Sequence, residues 1–115
     1  MEIIYVKEPN PLACGQAVLS MITGIPVEKV MEEVGTEKET TLKQMKSYLA
    51  EKGLCLFERR EAEKKEDLPK LALLSLETPR CWHWSLYFDG VFFDPEHGVL
   101  LDFPKSDRKY YFEVK

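Results

Sequence analysis

Hydrophobic and polar positions change period part-way along this chain. Up to about Gly53 apolar stretches are punctuated by helix start and stop signals. From Leu71 onward they fall into short runs separated by turn residues. Residues 2–6, EIIYV, are apolar and β-prone and predict a short strand. Asn10-Pro11 predicts a helix start, with Asn capping and Pro in the first turn. That helix is expected to reach about Thr23 and to stop at Gly24. A second, short helix is predicted over Val27–Val34, ended by Gly35. Thr41 to Lys52 predicts a third, with Leu42, Met45 and Leu49 on one face and Gly53 as its C-cap. Residues 54–57 predict a strand leading out of that cap.

The segment ERREAEKKED, residues 58–67, carries charges of both signs and reads as a solvated loop or an exposed helical turn. After Pro69, the runs LALLSLE, HWSLYF, VFFD, VLLDF and KYYFEV read as antiparallel strands. Helices first and a sheet second predict an α+β domain. The 115 residues suit one domain, spanning 1–115, with its own core. Apolar residues at 44% and charged residues at 31% are the balance of a soluble globular protein. A net charge of −4 argues against nucleic acid as the main partner, because phosphate binding needs a basic face. No stretch approaches the roughly 20 apolar residues of a membrane span, and the N-terminus lacks the pattern of a signal peptide. Cys14, Cys55 and Cys81 form no paired spacing, which suits a reducing compartment and a cytoplasmic protein. Two histidines and scattered cysteines lack metal-ligand spacing, and no cofactor is expected.

The candidate chemistry lies where the predicted elements join. Cys14 falls in the first turn of the first helix, where the partial positive charge and free N–H groups favour thiolate. Taken alone, a cysteine in a helix is more often a small buried hydrophobe. His83 lies in CWHWSLYFDGVFFDPEHG. Within it, Asp89-Gly90 is a two-residue hairpin signal between apolar runs. With that loop, Phe88 faces Val91, and counting outward Ser85 faces Asp94. His83, Ser85 and Tyr87 then share a face, and Asp94 joins it diagonally to His83, at roughly 7–8 Å between Cα atoms and so within side-chain reach. Trp84, Leu86 and Phe88 take the opposite face as core. The bland readings are a partly buried histidine between two tryptophans and an Asp that forms a turn before Pro95. His97, in Pro95-Glu96-His97-Gly98, reads as a surface residue of a turn.

PNPLACGQAVLSMITG resembles the nucleophile segment of the double-glycine leader peptidases, papain-like cysteine peptidases that occur fused to bacterial peptide exporters and as stand-alone relatives. Cys14, Gly15 and Ala17 match their Cys-Gly-x-Ala pattern. The layout that follows also matches: Gly24 and a short helix, then Thr41-Leu42 opening a helix that ends in Gly53-Leu54. HWSLYFDGVFFDPEHG resembles the family's His strand and Asp-Pro strand. The resemblance implies a papain-like fold, with the nucleophile at a helix N-terminus packed on a C-terminal antiparallel sheet carrying His and Asp. It implies Cys14 as nucleophile, His83 as base and Asp94 as the group that orients it, acting on a peptide or protein substrate through a thioester. No exporter domain accompanies the match, so the secretion role does not carry over. One position departs from the pattern. Where the family has a Gln that donates to the oxyanion, this chain has Glu8, and an ionised carboxylate cannot donate. Asn10 is the nearby substitute.

The expected activity is that of a cysteine peptidase-like hydrolase. On the same triad an amine in place of water gives an acyltransferase or crosslinking enzyme. A papain-like binding module that has lost catalysis is the reading favoured by Glu8, and an unrelated α+β domain is the remaining alternative.

Overall fold

A computed structural model describes residues 1–115. Three helices, α1 (Cys14–Thr23), α2 (Val27–Val34) and α3 (Leu42–Glu51), precede six strands. The strands are β1 (Leu56–Glu61), β2 (Leu71–Glu77), β3 (Trp82–Phe88), β4 (Val91–Asp94), β5 (Gly98–Leu100) and β6 (Arg108–Val114). They form one antiparallel sheet in the order β1-β6-β2-β3-β4-β5. The chain is thus a compact α+β domain. No helix is long and apolar enough to cross a membrane.

The helices end where the glycines stand. Gly24 and Gly35 cap α1 and α2 in the left-handed conformation, which a side chain resists. α3 opens on a capping box in which Thr41 and Gln44 exchange side-chain and backbone bonds. Its C-cap is Lys52, with the left-handed Gly53 just beyond. α1 starts later than the Asn10-Pro11 signal predicts. Residues 9–12 form a bend and turn in which Asn10 accepts from the Leu12 and Ala13 N–H groups, so the helix begins at Cys14 with Ala13 as its N-cap. Every residue from Cys14 to Ile22 is buried, which makes α1 the central helix.

The core lies on both sides of the sheet. Val18, Leu19, Met45 and Leu49 from the helices pack with Leu73, Leu86 and Phe112, and Trp84 and Phe88 join this cluster half-buried. On the other side Ala72, Leu74, Leu76, Tyr87 and Phe92 form a smaller cluster with Leu68, Leu100 and Phe103. Near-continuous burial of β2 follows from being covered on both faces.

Other predicted elements differ, and of the VLLDF run only Val99 and Leu100 lie in a strand. Residues 2–6 form no strand. Their apolar side chains Ile3, Tyr5 and Val6 pack on the helix-side core, but neither sheet edge pairs with them. The charged segment 58–67 is not wholly loop. Its first part continues β1 to Glu61, and Lys65–Asp67 form one 3-10 turn. β1 is an edge strand, exposed beyond Leu56, where charge is tolerated and discourages edge-to-edge pairing. A register irregularity between Leu56 and Arg59 accompanies the shift of this strand from 54–57 to 56–61.

Candidate functional site

The site is built at the N-terminus of α1 and the open end of the β3–β4 hairpin. Asp89 and Gly90 form the two-residue loop, both with positive φ (46° and 90°), as a type I′ turn requires. Phe88 pairs with Val91, Tyr87 with Phe92 and Leu86 with Phe93, so the next step sets Ser85 against Asp94. His83 and Asp94 then fall on one face, and His83 Nε2 lies 2.9 Å from Asp94 Oδ1. Both side chains are buried. Ser85 Oγ donates to the same oxygen at 2.7 Å, and Tyr5 Oη donates to the Asp94 carbonyl at 2.6 Å.

Burial alone would lower the pKa of His83. The hydrogen bond to Asp94 and its charge, with Cys14 nearby, outweigh it and raise the pKa to about 10. Burial would likewise raise Asp94, but His83, Ser85 and the His97 N–H bring it down to about 2. The buried carboxylate thus favours the protonated form of the imidazole. With Nε2 turned to Asp94, Nδ1 is the ring nitrogen left for Cys14.

Cys14 is the first residue of α1, and its thiol is buried. In contrast to α3, no side chain caps this helix, so its first-turn amides, which have no intrahelical acceptors, have no side-chain acceptor at the N-cap either. Gly15 is required by close approach. A Cβ there would stand 1.9 Å from Thr40 Oγ1. Trp84 Nε1 donates to the Thr40 carbonyl at 3.0 Å, fixing the α2–α3 connection over the helix start. Cys14 and His83 line one cleft of about 600 Å³, with Leu12, Leu42, Trp82 and Trp84 among its walls. Leu12, Leu42 and Trp82 are among the few large apolar side chains left exposed.

The residues considered for an oxyanion are placed differently from each other. The Glu8 backbone N–H donates to the Pro95 carbonyl at 3.0 Å, which carries its side chain toward His83, Asp94, Glu96 and His97. Glu8 Oε1 is buried without a partner. Burial raises its pKa, His83 and His97 oppose this, and Glu96 and Asp94 reinforce it. The Asn10 amide instead donates to the Glu37 carbonyl at 3.0 Å and lines a separate cleft beside α2. His97, read from sequence as a surface turn residue, is half exposed but bonded to Asp94, with Nδ1 at 2.8 Å from Oδ2. Its signal was the i, i+3 spacing from Asp94 in a turn. Ser85 as a donor was legible only through the hairpin register, and Tyr5 had no signal at all.

Cys55 and Cys81 are free thiols, as is Cys14. No group of three or more His, Cys, Asp or Glu side chains is arranged to hold a metal ion. Comparison with protein-family models gives no match, and comparison with curated proteins gives none either.

Proposed function

We propose that this protein is a papain-like cysteine hydrolase acting through Cys14, His83 and Asp94 on a peptide or protein substrate. The observation that carries the reading is the placement of one imidazole between a buried carboxylate and a cysteine at an uncapped helix N-terminus, facing a cleft. A helix bearing the cysteine, packed on an antiparallel sheet bearing His and Asp, is also the arrangement that the papain-like resemblance implies.

The chemistry is acyl transfer. Cys14 as thiolate attacks the substrate carbonyl, and the oxyanion forms beside the free first-turn amides. His83, already protonated and held by Asp94, donates its proton to the leaving amine as the tetrahedral intermediate collapses to a thioester. Water then attacks the thioester with His83 as base, releasing the acid and returning the proton to the pair. An amine in place of water makes the protein an acyltransferase on the same residues. The apolar cleft walls suit an acyl group with a bulky apolar side chain.

A second reading is a binding module that has lost turnover. It is favoured by Glu8, a carboxylate where the resembled family has a donor Gln, whose buried oxygen has no partner.

Iodoacetamide labelling at neutral pH tests the reading. Cys14 is buried while Cys55 and Cys81 are exposed, so accessibility alone predicts that Cys14 labels last. An activated Cys14 labels first, and His83→Ala removes that advantage. Labelling of Cys14 last in the parent refutes the reacting pair. The same preparations, given an activated peptide ester, separate the two readings. Turnover that rises in Glu8→Gln by roughly a hundredfold, the worth of one oxyanion donor, supports the enzyme with Glu8 as its brake. No turnover in either form supports the binding module.

A further inference from the structure

Asp94 is gripped through both of its oxygens, by a different histidine on each. Oδ1 accepts from His83 Nε2 at 2.9 Å and from Ser85 Oγ at 2.7 Å. Oδ2 accepts from the backbone N–H groups of Glu96 and His97, at 3.2 and 2.9 Å, and from His97 Nδ1 at 2.8 Å. The other nitrogen of that ring, Nε2, lies 3.0 Å from Glu96 Oε1, and Glu96 is paired with Arg80 at 3.1 Å. A neutral imidazole has one N–H and can donate to only one of these two carboxylates, whereas an imidazolium donates to both. Asp94 and His83 are buried, while the His97 ring is half exposed. Of the two imidazoles on Asp94, His97 is therefore the one that exchanges protons readily with solvent.

We propose that His97 is a positioning residue that sets how tightly Asp94 holds His83, with the two imidazoles competing for one carboxylate through opposite oxygens. A protonated His97 shares the charge of Asp94 and loosens its grip on His83. A neutral His97 donating through Nδ1 leaves that charge to His83. The loosening accompanies protonation of the His97 ring, which makes it a donor to both carboxylates. Other charged or titratable groups face this cluster. They are Tyr5 and Glu8 from the N-terminal segment, Cys14 from α1, His83 from β3, Glu96 from the turn, and Arg80, Cys81 and Lys105 from the neighbouring loops. Glu8, whose pKa is raised by burial, is the one whose own protonation the control variant must separate from that of His97. The consequence for reactivity rests on the reading of Cys14 and His83 as a reacting pair. The competition for Asp94 does not.

The test is NMR of the full chain from pH 8 to 5, following the His83 Nε2–H resonance, alongside the rate of Cys14 alkylation. In the parent the resonance moves upfield as the pH falls, and alkylation loses roughly tenfold, the equivalent of one pKa unit of displacement. His97→Asn keeps a neutral donor near the Nδ1 position and has nothing to titrate. It is expected to hold the resonance in place, to abolish that part of the rate loss, and to keep the neutral-pH rate. His97→Gln serves if the Asn variant does not fold. Glu8→Gln, run beside it, leaves the transition in place. The same resonance shift in parent and His97→Asn, no shift in the parent, or loss of the transition in Glu8→Gln instead overturns the proposal. A resonance that responds as expected in a chain whose Cys14 is unreactive overturns the hydrolase reading and not this one.

Discussion

The β3–β4 hairpin and the N-terminal residues 1–13 both hold Asp94, and they do so by opposite means. The hairpin holds it through a ladder whose register is fixed by two turn residues within the hairpin itself. The N-terminal segment has no helix or strand. It reaches Asp94 through one hydroxyl, Tyr5 Oη, and through a backbone bond from Glu8 to Pro95. Local chemistry dictates the first arrangement. The second exists only because the core, once formed, offers a surface for Ile3, Tyr5 and Val6.

The largest expected effect probes the charge pair that the hairpin creates. His83 has its pKa raised from 6.5 to about 10, so the stability it contributes is complete below pH 6.5 and is lost as the pH rises toward 10. Asp94 has its pKa lowered from 3.8 to about 2, so its contribution is complete above pH 3.8 and is lost as the pH falls through about 2. Their joint contribution is greatest between these limits. Urea denaturation at pH 6 and pH 10 should differ by a few kcal/mol, on the order of one to two for each pKa unit of displacement. His83→Gln should flatten that difference. An unchanged slope in the variant would assign the alkaline loss to other groups.

Next in size is the turn. Gly90 has φ of 90°, and a β-branched residue there is strained. Gly90→Val should cost about 1–3 kcal/mol in unfolding free energy. Because register and pairing share one origin, it should also disturb the His83 Nε2–H resonance. Destabilisation with that resonance intact would mean that the rest of the sheet, and not the turn, sets the register.

The smallest effect concerns the N-terminal segment. Tyr5→Phe removes one donor to the Asp94 carbonyl and should cost about 0.5–1.5 kcal/mol. The His83 resonance should barely move, since the bond goes to the main chain. A large change there would make the N-terminal segment an equal partner in orienting the carboxylate.

The same contrast explains which features were legible. Val27–Val34 was readable to the residue because Gly35 stops it, and the Ser85–Asp94 register was readable because Asp89-Gly90 admits one hairpin geometry. The strand expected at 2–6 failed because β-prone residues also suit an extended strap on a core, and nothing local distinguishes the two. The helix start was misplaced because Asn10 uses its side chain to close a turn rather than a helix. β1 was placed too early, at 54–57, because its sequence, LFERRE, is that of an exposed edge with a single apolar anchor. His97 was undervalued because its partner reaches it only when the turn folds back over Asp94.

The bond from Trp84 to the Thr40 carbonyl has a practical consequence. The chain's two tryptophans, Trp82 and Trp84, flank His83 and sit in unlike surroundings. Trp82 is half exposed on the cleft, and Trp84 is tucked in with its indole N–H satisfied. Their intrinsic emission is an optical reporter wired into the site, needing no attached dye. Trp82→Phe leaves a single fluorophore whose colour tracks the stretch of chain pressed against Gly15, so occupancy of the cleft becomes visible as light.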